Sequence, residues 1–269
     1  RPGSVFTTGY SEAPLVSELA PEKLQAQFAA IRDASLPAGE RQQGRYTGSP
    51  GFYNTEELIK KTFEEAGLLV KTQAFQVVVP ETQVCKLVDE RGQEIPGVTL
   101  YPFEPTGMLP TALPPEGVSG NLINTESTSP LDLIGKPLEK SIVLNNGMDA
   151  SWSMLASFGV GALIIKEDPI SLQGDPDTPA MWSTLTTPFD VNYPRFLARG
   201  PIEQYLNQRV RILCKVVWKS KTIRNVYGVL EAGNASDTRR EALVITSFYD
   251  SYSVVPELAP GAEQAVAVA

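Results

Sequence analysis

The groups in this sequence that could do chemistry are carboxylates, hydroxyls and two thiols, because none of the 269 residues is a histidine. Histidine is the usual general base near neutral pH and the commonest zinc ligand, so its absence narrows the chemistry at once. One carboxylate stands in a suggestive place. Asp250 follows a largely apolar run, residues 242–248, in the stretch Phe248-Tyr249-Asp250-Ser251. A strand over that run would deliver Asp250 to the end of a sheet. The plainer reading is a strand-end carboxylate that caps a turn. Asp175, Asp177 and Asp190 are oxygen donors of the type calcium takes, but they lack the spacing of a calcium loop and read as solvated.

Cys85 and Cys214 are far apart and do not have metal-ligand spacing. Each lies in a strand-like run and reads as a buried thiol, with a disulfide between them as the alternative. Arg45-Tyr46-Thr47 could bind a ligand at a junction; the simpler reading pairs the arginine with an acidic neighbour and lets the adjoining glycines shape a turn. Of Trp152, Trp182 and Trp218, the last reads as core and Trp182, in a loop, is the better candidate for a binding surface. Asn234-Ala235-Ser236 matches the glycosylation pattern, a tripeptide common by chance. Glycine-rich phosphate loops and a Gly-x-Ser-x-Gly elbow are absent.

The elements that must position these groups are legible from periodicity. Residues 21–33 predict a helix with Leu24, Phe28 and Ile31 on one face and Pro21 in its first turn. Residues 52–66 predict a second, with Leu58, Ile59, Thr62, Phe63 and Ala66 as its apolar face and Gly67 as its stop. A strand follows over 69–79, closed by Pro80, and another over 84–88, with Arg91-Gly92 as a turn. Strands are expected at 117–123, 141–144 and 162–165, a short helix near 150–158, a long loop over 168–194 and a short helix over 202–207. Val210, Ile212, Cys214, Val216 and Trp218 alternate as a half-buried strand does. Residues 225–230 and 242–248 predict two more, the latter apolar enough for a central strand covered on both faces. A final helix starts near 262. A helix–strand frame at both ends thus encloses a β-rich middle. The layout predicted is an α/β domain, residues 1–80 and 210–269, interrupted by an inserted β-rich domain over 81–209.

Composition sets the outer limits. With 42% hydrophobic and 20% charged residues the chain is of ordinary globular type. A net charge of -8 and the lack of any long basic run exclude a phosphate-backbone binder, so no nucleic-acid partner is expected. No apolar stretch reaches the roughly 18 residues a membrane span needs. The opening Arg1-Pro2-Gly3-Ser4 has no signal-peptide pattern and fits a mature or trimmed form.

Arg45-Tyr46-Thr47-Gly48-Ser49-Pro50-Gly51, then a helix, then Glu65-Ala66-Gly67-Leu68, resembles the opening of the two-zinc aminopeptidases. That group includes bacterial leucyl aminopeptidases, glutamate carboxypeptidase, the transferrin receptor and nicastrin. Ser141-Ile142-Val143-Leu144 followed by Ala156-Ser157-Phe158-Gly159-Val160-Gly161-Ala162-Leu163-Ile164-Ile165 resembles the protease-associated (PA) domain inserted in many of them. Asn225-Val226-Tyr227-Gly228-Val229-Leu230-Glu231-Ala232-Gly233 resembles the strand re-entering the peptidase domain. The resemblance implies a central strand ending in His-x-Asp, the histidine binding zinc and the aspartate orienting it. It also implies a later Gly-Ala-x-Asp whose aspartate bridges two zincs that activate water. Here Phe248 stands at the histidine position, Asp250 keeps the orienting position, and Gln264, in Gly261-Ala262-Glu263-Gln264, stands where the bridging aspartate belongs. A phenyl ring has no lone pair for zinc, and a neutral amide is a poor bridge between dications. Glu263 and Tyr249 are the substitutes at hand. Further ligands of the pattern would lie beyond Ala269.

The resemblance therefore implies a non-catalytic scaffold or protein-interaction module with a degenerate zinc site, no cofactor, and a protein or peptide partner. It implies an extracytoplasmic place, within a larger membrane-anchored protein. The alternatives are a zinc-dependent aminopeptidase with unusual or downstream ligands, and a PA-type binding domain completed by its flanks.

Overall fold

Two long strands carry the architecture in the computed structural model of the chain, which describes residues 20–35, 44–103, 113–125, 129–145, 154–166, 194–231, 242–251, 253 and 255–259. Strand β1 (Leu69–Val88) pairs antiparallel along its whole length with β7 (Arg209–Val229). The expected stop at Pro80 does not occur, and the strands predicted separately at 69–79 and 84–88 are one. So are those predicted at 210–218 and 225–230. Proline is tolerated because β1 is an edge strand of the sheet and its missing N–H can face away from β7. The irregularity falls two residues later, as a bulge between Thr82 and Val84.

From β7 the sheet continues through β3 (Val118–Thr125), antiparallel to it, and then through three parallel neighbours: β4 (Ile142–Asn145), β5 (Ala162–Lys166) and β6 (Arg195–Arg199). β2 (Thr99–Pro102) closes the far edge, antiparallel to β6, giving a seven-stranded mixed sheet in the order β1-β7-β3-β4-β5-β6-β2. β6 has no place among the strands predicted from sequence. Its apolar centre is only three residues long between two arginines, and pairing on both edges makes the strand. The short helices α3 (Pro130–Leu133) and α4 (Met154–Ser157) lie in the crossovers that parallel neighbours require.

β4 is buried at every position, which explains the apolar run Ile142-Val143-Leu144. Ile142 and Leu144 face one core with Leu87, Leu100, Leu122, Phe196 and Ile212; Val143 faces another with Leu155, Leu163, Leu197 and Val255. Helices thus cover one face, beside β-rich packing on the other, and the fold is α/β.

Helices α1 (Pro21–Ser35) and α2 (Pro50–Glu65) precede the sheet. Only Ile31 of the predicted face of α1 is buried, and Leu24 is exposed. On α2 the buried residues are Gly51, Phe52, Thr55 and Glu56 at its N-terminal end, whereas Thr62 and Ala66 of the predicted face are exposed. The reason is where the helix meets β7. A Cβ on Gly228 would come within 2.6 Å of Leu68 and 2.8 Å of Phe63, so the C-terminal end presses on that strand through those two side chains. Ser49 caps α2 by accepting from the Phe52 N–H at 3.1 Å, and Gly67, at φ 75°, ends it.

Two further expectations fail. Residues 242–248 form no strand among the described residues; Leu243, Val244, Ile245 and Phe248 are all strongly exposed. An apolar run becomes a central strand only when neighbours pair both its edges, and no described strand does so. Trp218, read as core, is 39% exposed. It lies opposite Pro80, past Ile212 where the pairing of β7 with β3 ends. The expected final helix, with Glu263 and Gln264, lies outside the described residues, as do Trp152, Trp182, Asp175, Asp177, Asp190 and Asn234.

Close backbone approach makes Gly51 a demanding position: a Cβ there would lie 2.0 Å from the Gly44 carbonyl oxygen and 2.5 Å from that of Ser35. Gly51→Ala is expected to destabilise the chain by about 2–3 kcal/mol. Gly92→Ala, in an open turn at φ 79°, should cost only about 1 kcal/mol. Urea midpoints of the two variants check the order.

Candidate functional site

The loop entering α2 and the segment that holds Asp250 meet face to face. Gly44 and Gly48 take positive φ, 45° and 78°, and between them they swing Arg45 inward. Arg45 is fully buried. Its backbone N–H donates to Ser251 Oγ at 3.1 Å, its carbonyl accepts from the Ser251 N–H at 3.0 Å, and its Nη1 donates to the Tyr249 carbonyl at 2.8 Å. The acidic partner expected for Arg45 is thus joined or replaced by a backbone carbonyl, which suits a guanidinium because its donors are fixed in a fork. Tyr46 and Ser251 form an isolated parallel bridge, and Thr47 Oγ1 donates to Asp250 Oδ2 at 2.8 Å. Residues 45–47 and 249–251 are therefore laced together by backbone and side chain.

A second layer lies behind this lace. The Tyr249 ring stacks on Phe52 with centroids 4.8 Å apart and planes at 24°, and its hydroxyl donates to the Arg224 carbonyl at 2.6 Å. Glu56, its side chain 1% exposed, accepts from Arg224 Nη1 at 3.1 Å and from Lys60 Nζ. Lys60 also reaches the outer Glu57 at 2.8 Å. Burial alone would lower the Lys60 pKa, but the hydrogen bonds and charges of Glu56 and Glu57 win and raise it. Tyr249 is pushed well above the ordinary tyrosine range, by burial first and then by the negative charges of Glu56 and Asp250, against the pull of Arg224.

Beside the lace an open cleft is lined by Tyr46, Thr47, Pro80, Phe103, Lys221 and Glu257 among others. Lys221 and Glu81 pair across its rim at 3.4 Å. Cys85 and Cys214 are direct register partners of β1 and β7, both buried.

The chemistry of this arrangement is that of a clasp. Asp250 accepts a hydroxyl proton, Ser251 accepts a backbone proton, and the Tyr249 hydroxyl gives its own to a carbonyl. Phe248, next to them, is 86% exposed and points its ring at solvent. Among the described residues no three of cysteine, aspartate and glutamate gather as a metal would require. The Glu56–Lys60 spacing, i to i+4, was visible in the sequence. Its partner Arg224 and the Tyr249 stack were not, being joined only by the fold.

Breaking the clasp gives two measurable effects. Between the ordinary tyrosine pKa and the raised one, the unfolded chain has lost a proton that the folded chain keeps, so stability falls as pH rises. The denaturation midpoint should drop as pH climbs above about 10, and Tyr249→Phe should flatten that slope while lowering stability at neutral pH. Glu56→Gln removes the shared charge and should cost about 1–3 kcal/mol. Lys60→Met, losing only the partly exposed end of the pair, should cost under about 1 kcal/mol by the same denaturation assay.

No protein-family model matches the chain, and no curated protein sequence does. Solved structures do. A zinc aminopeptidase from Bacillus subtilis superposes with a TM-score of 0.52 at 17% identity, over 80% of this chain and 49% of that one. An aminopeptidase from Aneurinibacillus sp. strain AM-1 gives 0.44 at 17% identity, over 85% of this chain and 53% of that one. The chain spans about half the length of these structures. At such identities the first likeness shows a shared α/β fold of the aminopeptidase-like kind. Among the described residues no helix is long and apolar enough to cross a membrane.

Proposed function

We propose that this chain belongs to a non-catalytic, aminopeptidase-like scaffold that serves protein interaction, with a degenerate zinc site. In this reading residues 1–80 and 210–269 make up an incomplete peptidase-like α/β part, and 81–209 a PA-like inserted domain. The carrying observation is Phe248. The resemblance reserves its position for a zinc-binding histidine, and this ring offers no lone pair and faces solvent. Asp250, which would orient that histidine, is engaged by Thr47 instead. The fold likeness to a zinc aminopeptidase supports the peptidase-like frame without carrying its activity over.

The exposed Leu243, Val244 and Ile245 support an interaction role, since a contiguous apolar stretch of this kind is a surface made to be covered. A protein or peptide strand paired along it is the partner we favour. An extracytoplasmic setting within a larger membrane-anchored protein follows from the resemblance. The rival reading, a zinc-dependent aminopeptidase, draws on the zinc enzyme among the fold neighbours and would need Glu263, Tyr249 or residues beyond Ala269 as replacement ligands.

Zinc content after loading and dialysis of the longest natural form separates the two. The expected result is no retained zinc and no chelator-sensitive cleavage of aminoacyl anilides, with Phe248→His alone restoring neither. Close to two zincs per chain with such cleavage would replace the scaffold reading by the enzyme. Ile245→Lys should change folding stability by under about 0.5 kcal/mol, because that side chain is almost wholly solvated.

A further inference from the structure

Cys85 and Cys214 are the only cysteines in the chain, and the fold sets them directly opposite each other in the antiparallel ladder of β1 and β7. Opposed residues of such a ladder project to the same face, with Cα atoms about 4.5–5.5 Å apart. That interval falls inside the roughly 4.4–6.8 Å over which a disulfide can form. The Cβ atoms of opposed residues, about 4.5–5.5 Å apart, need to close by up to about 1 Å. The local backbone has the slack for it. β1 is an edge strand of the sheet, and the bulge between Thr82 and Val84 lies just before Cys85, upstream of the Leu87 carbonyl that accepts from the Ile95 N–H at 3.0 Å. Both side chains face the same core, at 6% and 7% exposure, beside Leu87, Ile212 and Val216.

From this juxtaposition we infer that Cys85 and Cys214 form a reversible dithiol–disulfide pair, a redox staple across the two strands that carry the sheet. A small-molecule disulfide is the oxidant. One cysteine thiolate attacks it, forming a mixed disulfide and releasing one small thiol. The second thiolate attacks the protein sulfur of that intermediate, forms the Cys85–Cys214 bond and expels the other small thiol. The two protons lost by the protein end on the two released thiols, and the two electrons on the reduced oxidant. Burial makes the exchange slow, since each sulfur is reached only when the edge strand opens, and protects the bond once made.

The position gives the staple its effect. The closed loop of about 130 residues holds β2 to β6 entire, so the bond fixes the two strands where the paired ribbon joins the wider sheet. The inference is independent of whether the chain is a scaffold or an enzyme.

The test uses the full chain in oxidised and reduced glutathione, with free thiols trapped by N-ethylmaleimide before intact-mass and peptide mapping. The expected product is two hydrogens lighter, takes no label, yields a linked Cys85–Cys214 peptide and reverts with dithiothreitol. Its thermal midpoint should rise by about 5–10 °C over the reduced chain, and Cys214→Ala should show no such rise. Glutathione adducts that persist, crosslinked dimers, or two thiols that still take label at equilibrium would overturn the inference. A linked peptide with an unchanged or lower midpoint would overturn the staple. The mass readings need only the unsubstituted chain, so they decide the matter even if the alanine variant does not fold.

Discussion

The antiparallel ladder between β1 and β7 is the constraint on which the other elements depend. Each strand begins or ends in the region of α2 and runs into the seven-stranded sheet. Pairing from Leu69↔Val229 to Val88↔Arg211, interrupted by the bulge between Thr82 and Val84, satisfies the backbone donors and acceptors between the two strands. The ladder then fixes where β3 docks, since β3 pairs with the first residues of β7, at Val118↔Ile212 through Asn121↔Arg209. β4, β5 and β6 follow in sequence order, each laid parallel beside the last. At the opposite end the ladder gives α2 its seat: Phe63 and Leu68 close on Gly228, where any side chain would intrude.

The clasp around Arg45 ties the remaining chain to that frame. A guanidinium with no exposure must have acceptors, and the chain supplies them from backbone 204 residues away. The same contact carries Asp250 to Thr47 and Tyr249 to Phe52, and so links loop, helix α2 and the C-terminal segment in one polar and aromatic junction. Glu56 completes it beneath the surface, with Arg224 of β7 on one side and Lys60 of its own helix on the other. Thr47 Oγ1 donates to Asp250 Oδ2 and Ser251 Oγ accepts from the Arg45 N–H, so both side chains join the loop to the C-terminal segment.

The α/β frame is built from strand pairing and apolar burial, which do not need a metal. The exposed stretch 242–248 has the composition of an interior strand, yet composition alone does not bury a residue, and no described strand pairs with it.

What the sequence by itself determined is local. The stop of α2 at Gly67, the apolar runs 142–144 and 162–165, the alternation of Val210, Ile212, Cys214 and Val216, and the lack of histidine were all legible, because propensity, periodicity and side-chain chemistry act within a few residues. What only the tertiary structure decided depends on contacts between distant segments. Pro80 reads as a strand end until β1 is seen to be an edge. Arg195–Arg199 reads as nothing until β5 and β2 pair it. Cys85 and Cys214 read as two separate thiols until the ladder puts them in register, and nothing in the sequence joins Arg45, Glu56, Arg224 and Tyr249, which only the fold makes one junction. Hydrogen-bond register and burial are set by which strands lie side by side, and that choice is a property of the whole chain rather than of any window of it.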